Sequence, residues 1–144
     1  MPELKERFSA ALHHSARAWR LGLDRRLRHL GLGQAGWMTI AIIAKSDDLL
    51  PQSVIAERVG VEGATMVASI DRLVKAGLVE RQPCPRDRRI KRVALTDAGW
   101  SIYATVKTEA DAFRKELLAN VDEALLLKAT ELLEQLREAA EAAK

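Results

Sequence analysis

The segment from residue 80 to residue 92 is the part of the sequence whose residue types point most directly to chemistry. It contains six basic and two acidic residues, so its formal charge is +4. Guanidinium and ammonium groups at this density bind phosphate, because each neutralised phosphate releases a condensed counterion. A charge run is also typical of a solvated loop that has no partner. The elements on either side of the run decide between these two interpretations.

The sequence before this basic run predicts two helices joined by a tight turn. Apolar residues recur at helical spacing in Gln52–Val59, and Gly60 is placed to end that helix. A second helix is predicted over Gly63–Lys75, with Gly77 at its C-terminal cap. Two helices in this order, with a short turn between them, indicate a helix-turn-helix.

Two strands are predicted around the basic run, so that it forms the loop of a hairpin. The first strand covers Leu78–Gln82 and the second ends with Val93–Leu95. A helix-turn-helix followed by a basic hairpin is the order of a winged helix-turn-helix. This position favours phosphate binding over a solvated loop.

The second helix is expected to present one face to the core and another to DNA. The predicted apolar face holds Val67, Ile70, Leu73 and Val74. The other face is made mostly of small residues, which suits a helix that enters the major groove of B-DNA. We predict DNA contacts from Gly63, Ala64, Thr65, Ala68, Ser69 and Arg72.

A set of short motifs connects this region to a known family. The motifs are Leu73–Arg81, Asp87–Arg89, Leu95–Thr96 and Gly99, and together they resemble the MarR family of bacterial transcription regulators. The segments Trp19–Arg20 and Gly36–Trp37 resemble its SlyA branch. The resemblance extends from about Leu12 to Leu136.

The resemblance implies a homodimer that binds a pseudo-palindromic operator in double-stranded DNA, with a wing arginine in each flanking minor groove. It implies that Arg88 or Arg89 is that arginine, and we also assign Arg86 to DNA. Asp87 is expected to hold the wing in shape, because phosphate would repel its carboxylate. The SlyA branch usually has an arginine where this chain has Ala68, so we expect looser base specificity and more weight on DNA shape.

The family resemblance also implies a ligand crevice between the dimerisation helix and the DNA-reading unit, which can bind small anionic aromatics such as salicylate. Arg17 and Arg20 lie one helical turn apart and would pair with a carboxylate. Trp37, at the start of a helix predicted over Trp37–Ala44, would supply an aromatic wall. The alternative is that Trp37 is a core residue and both arginines are surface or dimer contacts. Ala41 replaces a histidine of the SlyA branch that helps bind the ligand.

Long amphipathic segments lie near both ends of the chain. Residues 4–30 keep a helical apolar period throughout, and two further helices are separated at Asn120–Asp122, with Asp122 as the predicted N-cap. Apolar stripes of this length need a partner, and two-fold pairing with a second copy is the simplest arrangement. Packing within a monomer is the alternative. In a dimer, each winged unit would take one half-site, about 34 to 36 Å from the other.

These patterns predict a mostly α-helical fold with a small β-hairpin wing. We expect an N-terminal dimerisation helix at 1–36, the winged helix-turn-helix unit at 37–99, and C-terminal dimerisation helices at 100–144, intertwined as one domain. The 144 residues are 48% hydrophobic and 4% aromatic, which supports a sizeable helical core.

Several classes of protein are disfavoured by the sequence. No apolar run approaches the roughly 20 residues that span a bilayer, so we expect a cytoplasmic protein without a membrane partner. The single cysteine, Cys84, excludes an intrachain disulfide, and the three histidines lack metal-ligand spacing. Phosphate-loop and nucleophile motifs are absent, so we expect neither enzyme activity nor a cofactor.

The function predicted from the sequence is that of a dimeric, sequence-preferring DNA-binding regulator of transcription. The alternative is a nucleoid-like architectural protein with weak sequence preference. A large ratio of specific to nonspecific affinity is expected only of the regulator.

Overall fold

The computed structural model describes residues 3–143, so the ends of the predicted terminal segments, Met1, Pro2 and Lys144, lie outside the described residues. The fold is mostly helical with a small antiparallel sheet, as the sequence predicts. In chain order the elements are α1 (Leu4–Leu27), a 3-10 turn (Arg28–Leu30), α2 (Gly33–Lys45), β1 (Leu50–Pro51), α3 (Gln52–Val59), α4 (Gly63–Lys75), β2 (Val79–Pro83), β3 (Lys91–Leu95), α5 (Asp97–Leu118) and α6 (Glu123–Ala142).

The helix-turn-helix of α3 and α4 has the bounds that the sequence predicts. Gly60 follows α3 with φ of 85°, and its N–H donates to the carbonyl oxygen of Ala56 at 2.9 Å. Gly77 follows α4 with φ of 77°. Side chains rarely adopt this left-handed conformation, so glycine at these two positions ends each helix without strain.

Helix α2 begins four residues before the predicted start at Trp37, so that prediction is wrong. The glycines at 33 and 36 are poor helix formers and made this first turn look like a loop. Packing overrides the propensity, because Gly36 is buried where α2 approaches α4. A Cβ there would lie 3.0 Å from the Cβ of Leu32 and 3.9 Å from Cδ2 of Leu73.

The sheet has three antiparallel strands in the order β1-β3-β2, whereas the sequence predicts only the hairpin. In the hairpin, Val79 pairs with Leu95 and Pro83 pairs with Lys91. The third strand, β1, adds one short pairing in which Leu50 lies opposite Val93. A strand of two residues carries no alternation that a sequence pattern could detect.

The main core lies between α2, α3, α4 and one face of the sheet, within the compact unit that ends at Asp111. Its fully buried apolar side chains include Ile40, Ile55, Met66, Ile70 and Val93. This core joins the helix-turn-helix to the base of the wing.

The residues from Ala112 onward form a second compact unit. Asp122 is the N-cap of α6, as predicted, and its Oδ2 accepts a hydrogen bond from the Leu125 N–H at 3.0 Å. No described residue of α6 is buried. The exposed apolar side chains of α6 are Leu125, Leu127, Leu132, Leu133 and Leu136.

Helix α1 also exposes much of its apolar stripe. Leu23 and Leu27 are buried, and the 3-10 turn replaces the predicted final helical turn at 28–30. The exposed apolar side chains, between 37% and 76% accessible, are Leu4, Phe8, Leu12, Trp19 and Leu21. Among residues 3–143, no helix is both long and apolar enough to span a bilayer.

Candidate nucleic-acid interface

Helix α4 is rotated relative to the orientation that the sequence predicts. Its buried face holds Met66, Ser69, Ile70 and Leu73, which follow the i, i+3, i+4, i+7 spacing of a core-facing stripe. Val67 and Val74, which the sequence predicts to face the core, are 43% and 38% exposed.

This rotation corrects one predicted base-reading residue. Ser69 is only 2% exposed and faces the core, so its hydroxyl cannot reach a base edge. Val67 lies on the exposed face instead, which the sequence does not predict. Two sets of residues could equally form the apolar face of this helix, namely Val67-Ile70-Val74 and Met66-Ile70-Leu73. The structure leaves the other predicted residues of this helix exposed, namely Gly63, Ala64, Thr65, Ala68 and Arg72.

The wing loop is closed by backbone hydrogen bonds at its base and within its tip. The N–H of Cys84 donates to the carbonyl oxygen of Ile90 at 3.0 Å, directly beyond the last strand pair. Inside the loop, Asp87 N–H donates to the Cys84 carbonyl at 3.3 Å, and Ile90 N–H donates to the Asp87 carbonyl at 3.1 Å. Two consecutive turns therefore shape the tip.

Asp87 holds its neighbour Arg89 through both carboxylate oxygens. Oδ1 accepts from the Arg89 backbone N–H at 3.0 Å and from Nε at 3.1 Å, and Oδ2 accepts from Nη2 at 3.0 Å. The Arg89 side chain, followed by its backbone N–H, lowers the pKa of Asp87, and the same contact raises the pKa of Arg89. The guanidinium fork of Arg89 is thus engaged within the wing.

The other two predicted wing arginines are not engaged in this way. Arg86 and Arg88 are exposed, and their side chains make no hydrogen bond or ion pair with any residue in 3–143. These cations can meet a phosphate or a groove without first breaking a contact. The backbone N–H groups of Arg86 and Asp87 lower the pKa of the half-exposed Cys84 thiol.

Arg81 of β2 links the wing strand to both helices of the helix-turn-helix. Its Nε donates to Oε1 of Gln52 at 2.6 Å, and its Nη2 lies 2.6 Å from Oδ1 of Asp71. Nη2 also donates to the backbone carbonyl of Val67 at 3.4 Å. We call these contacts the Arg81 clamp. In the sequence, Arg81 is notable only for the local charge and as the last residue of the family motif Leu73–Arg81. It nevertheless follows Val79 by two residues and so shares the core-facing side of the strand.

The predicted ligand residues are not brought together as expected. Trp37 is 6% exposed and its Nε1 donates to Oδ1 of Asp24 at 2.8 Å. It is therefore a core residue, as in the alternative that the sequence left open. Arg17 and Arg20 are both exposed on α1. Trp37 therefore offers no aromatic wall to a ligand.

A cavity of about 430 Å³ lies beside Arg20, away from the Trp37 side chain. It is also lined by Gln34, Ala35 and Met38 of α2 and by the segment from Arg58 to Val61 at the turn between α3 and α4. Neither Arg17 nor Trp37 lines it. Two guanidinium groups at one cavity that is also lined by Met38 and Val59 favour an anionic ligand with an apolar part.

Known proteins resemble this chain in sequence and in fold. A family model described as MarR family matches residues 30–90. The crystal structure of transcriptional regulator PA3341 is 35% identical, with a TM-score of 0.89, over 94% of this chain and 99% of that one. The crystal structure of the transcriptional regulator SlyA is 21% identical, with a TM-score of 0.80, over 92% and 93% of the two chains. The MepR–DNA complex from S. aureus is 19% identical, with a TM-score of 0.78, over 92% and 97%.

Proposed function

The chain belongs to the MarR family, whose members are transcriptional regulators rather than enzymes, and we propose that it binds double-stranded DNA as a homodimer with a preference for sequence. The observation that carries this proposal is the exposed face of α4 beside a wing tip with two disengaged arginines, Arg86 and Arg88. A similar fold, that of MepR, was determined in complex with DNA.

The exposed face of α4 suits the major groove. Thr65 and Ala68 are short enough to let the helix approach base edges, and Val67 adds an apolar surface that fits a thymine methyl group. Arg72, one turn further along, would contact a phosphate and fix the register of the helix. With only one basic side chain in the first ten residues of α4, readout there depends more on shape and apolar contact than on bidentate hydrogen bonds.

The wing supplies the sequence-independent part of the affinity. Arg88 at the tip is the side chain that we assign to the minor groove, since Arg89 is already held by Asp87. Arg86 would contact the flanking backbone. The minor groove has a negative potential that attracts arginine whichever bases line it, so these contacts add affinity on any duplex.

Dimerisation is supported by the exposed apolar stripes of α1 and α6. Burying one such leucine or phenylalanine contributes about 1.5 to 3 kcal/mol, so stripes with several of them favour association. Pairing about a two-fold axis would place two winged units on half-sites about 34 to 36 Å apart. A pseudo-palindromic operator matches that symmetry.

A small aromatic carboxylate is the ligand class that we propose for modulation. The cavity beside Arg20 and Arg58 supports it, with Met38 and Val59 against the ring. Such a ligand alters DNA binding only to the extent that it prefers one spacing of the two winged units. Salicylate that weakens or strengthens DNA binding by the wild type, but has no effect on Arg58→Ala, would support this assignment. An equal effect on both proteins would refute it.

The proposal as a whole is tested by selecting bound fragments from random duplex DNA and by sedimentation of the free protein. We expect a dimer in solution and an enriched motif with two-fold symmetry. A monomer that enriches an unsymmetric motif would refute the dimeric arrangement. A dimer that enriches no motif would favour the architectural alternative.

A further inference from the structure

We infer that Arg81 is a specificity-determining residue, which acts by fixing the orientation of α4 relative to the wing without reading bases itself. The inference rests on the proposed function, since it assigns to the Arg81 clamp the role of aligning two DNA-contacting elements. The clamp joins β2 to α3 through Gln52 and to α4 through Asp71 and the carbonyl of Val67.

The geometry of the clamp suits alignment. A guanidinium is planar and its N–H groups point in fixed directions, so bonds from Nε and Nη2 fix two partners at once. Arg81 pairs with Val93 in the middle of the hairpin, where the strand is supported by the fully buried core. The clamp therefore ties the exposed side of α4, whose opposite face packs in the same core, to the middle of the hairpin.

The position of the contacts along α4 matters for base readout. Val67 and Asp71 are both exposed and lie one helical turn apart on α4. Val67 itself belongs to the face assigned to the major groove. Base contacts require placement within about 0.5 Å, so a small rotation or slide of α4 would cost base discrimination while backbone contacts adapt.

The ion pair of the clamp is exposed on its Asp71 side, so fold stability alone does not explain it. The Arg81 side chain is 26% exposed and that of Asp71 is 60% exposed. Ion pairs with this much solvent contribute little to the free energy of unfolding. Loss of the clamp should therefore change specificity more than it changes thermal stability.

The negative charge of Asp71 allows alignment to be distinguished from simple electrostatics, because the two predict opposite changes in affinity for the preferred site. An exposed carboxylate on a DNA-facing helix repels phosphate, so removing its charge should strengthen binding to every sequence if charge is its only effect. If the clamp aligns α4, then Asp71→Asn should instead lower affinity for the preferred site relative to other DNA. A direct phosphate contact by Arg81 is the competing explanation, and it predicts a shallower salt dependence in Arg81→Ala, by about 0.9 per contact.

The experiment uses the full chain and two probes, namely the duplex that the wild type selects from random DNA and a scrambled version of it. The variants are Arg81→Lys, Arg81→Ala, Asp71→Asn and the double variant Arg81→Ala/Asp71→Asn. Asp47→Asn is the charge-matched control, because Asp47 is exposed and its side chain contacts no residue in 3–143 through a hydrogen bond or ion pair. Affinity for both probes is measured over a series of salt concentrations, together with the melting temperature.

We expect Arg81→Ala to lower the ratio of specific to nonspecific affinity about tenfold and Asp71→Asn to lower it less, because Arg81→Ala removes all three contacts of the clamp and Asp71→Asn only the ion pair. The double variant should lower the ratio no further than Arg81→Ala alone, since no clamp contact is left for the second substitution to remove. Arg81→Lys should lose specificity although it keeps the charge, since an ammonium cannot hold Gln52 and Asp71 with a fixed fork. Asp47→Asn should leave the ratio unchanged, and the slope against salt should stay the same for Arg81→Ala.

The outcomes separate this inference from the proposed function. If the wild type selects no sequence, both are refuted. If the wild type selects a motif but Arg81→Lys and Asp71→Asn keep the wild-type ratio of specific to nonspecific affinity, the inference alone is refuted. It is also refuted if the losses of Arg81→Ala and Asp71→Asn add up in the double variant, or if Arg81→Ala alone reduces the slope of affinity against salt. Should Arg81→Ala unfold, Arg81→Lys and Asp71→Asn, which preserve size and packing, decide the result by the same ratio.

Discussion

Replacing Arg88 with alanine should weaken DNA binding by a similar factor for every sequence. Arg88 is exposed and its side chain has no partner within residues 3–143, so its removal costs the free protein no internal contact. The melting temperature and the dimer should therefore be unchanged. The loss should appear only when DNA is bound.

The magnitude follows from the number of cations removed. One arginine per protomer is two per dimer, and each phosphate contact contributes about 0.9 to the slope of log affinity against log salt, so the slope should fall by about 1.8. If the wild type and Arg88→Ala bind equally at about 1 M salt, this difference in slope makes the affinity of Arg88→Ala about thirtyfold lower than that of the wild type at about 0.15 M.

The assay is fluorescence anisotropy with the selected duplex and its scrambled version, from about 0.05 to 0.3 M salt. Arg25→Ala is the charge-matched control, because Arg25 is an exposed arginine of α1, outside the proposed interface. It should change the slope much less than Arg88→Ala does. An unchanged slope in Arg88→Ala, or a loss confined to the selected duplex, would refute the assignment of Arg88 to sequence-independent contact.

Three further predictions concern the framework that positions the interface. Gly99→Ala should lower the free energy of unfolding by about 1 to 3 kcal/mol in urea titrations, because the new Cβ would overlap the backbone carbonyl oxygen of Leu78. Gly63→Ala, which meets nothing within 4 Å, should be neutral or slightly stabilising, and equal losses for the two would contradict the packing argument. Asp122→Ala should cost about 1 kcal/mol by removing the cap of α6, with Asp122→Asn recovering most of it, and calorimetry that finds no loss would show that the cap is not formed. The lowered pKa of Asp87 means that its contribution to wing stability is complete above the ordinary value of 3.8 and is lost as pH falls through the lower folded value. Amide exchange in the wing should rise only in that acidic range, and a rise near neutral pH would contradict it.

Local signals along the chain were sufficient for much of the fold. Gly60 and Gly77 fix the ends of α3 and α4, because the left-handed backbone there is open to glycine and costly for other residues. Asp122 marks the start of α6 through a side chain whose partner is three residues away. Features of this kind can be predicted from the sequence, because the residue and the backbone that it caps or ends lie within one helical turn of each other.

The phase of α4 was not readable in the same way. Two overlapping sets of apolar residues both satisfy a helical period, and only contact with the rest of the core selects Met66 over Val67. Ser69 was misplaced for this reason, as a small polar residue that the chosen phase buries.

The contacts of Arg81 were also outside the reach of sequence patterns. Its partners Gln52 and Asp71 are 29 and 10 positions away, and nothing in the spacing of the three residues indicates that they meet. The inward position of an arginine two residues after Val79 was a usable signal, because a core-facing guanidinium requires a hydrogen-bond partner.

Above all, we propose that this protein is a dimeric regulator that distinguishes one DNA sequence from others. The most direct measurement is the affinity of the wild-type protein for its selected duplex relative to the scrambled duplex, at about 0.15 M salt. We expect a ratio of about a thousandfold or more. A ratio near one, with steep salt dependence for both duplexes, would contradict it and would indicate an architectural DNA-binding protein.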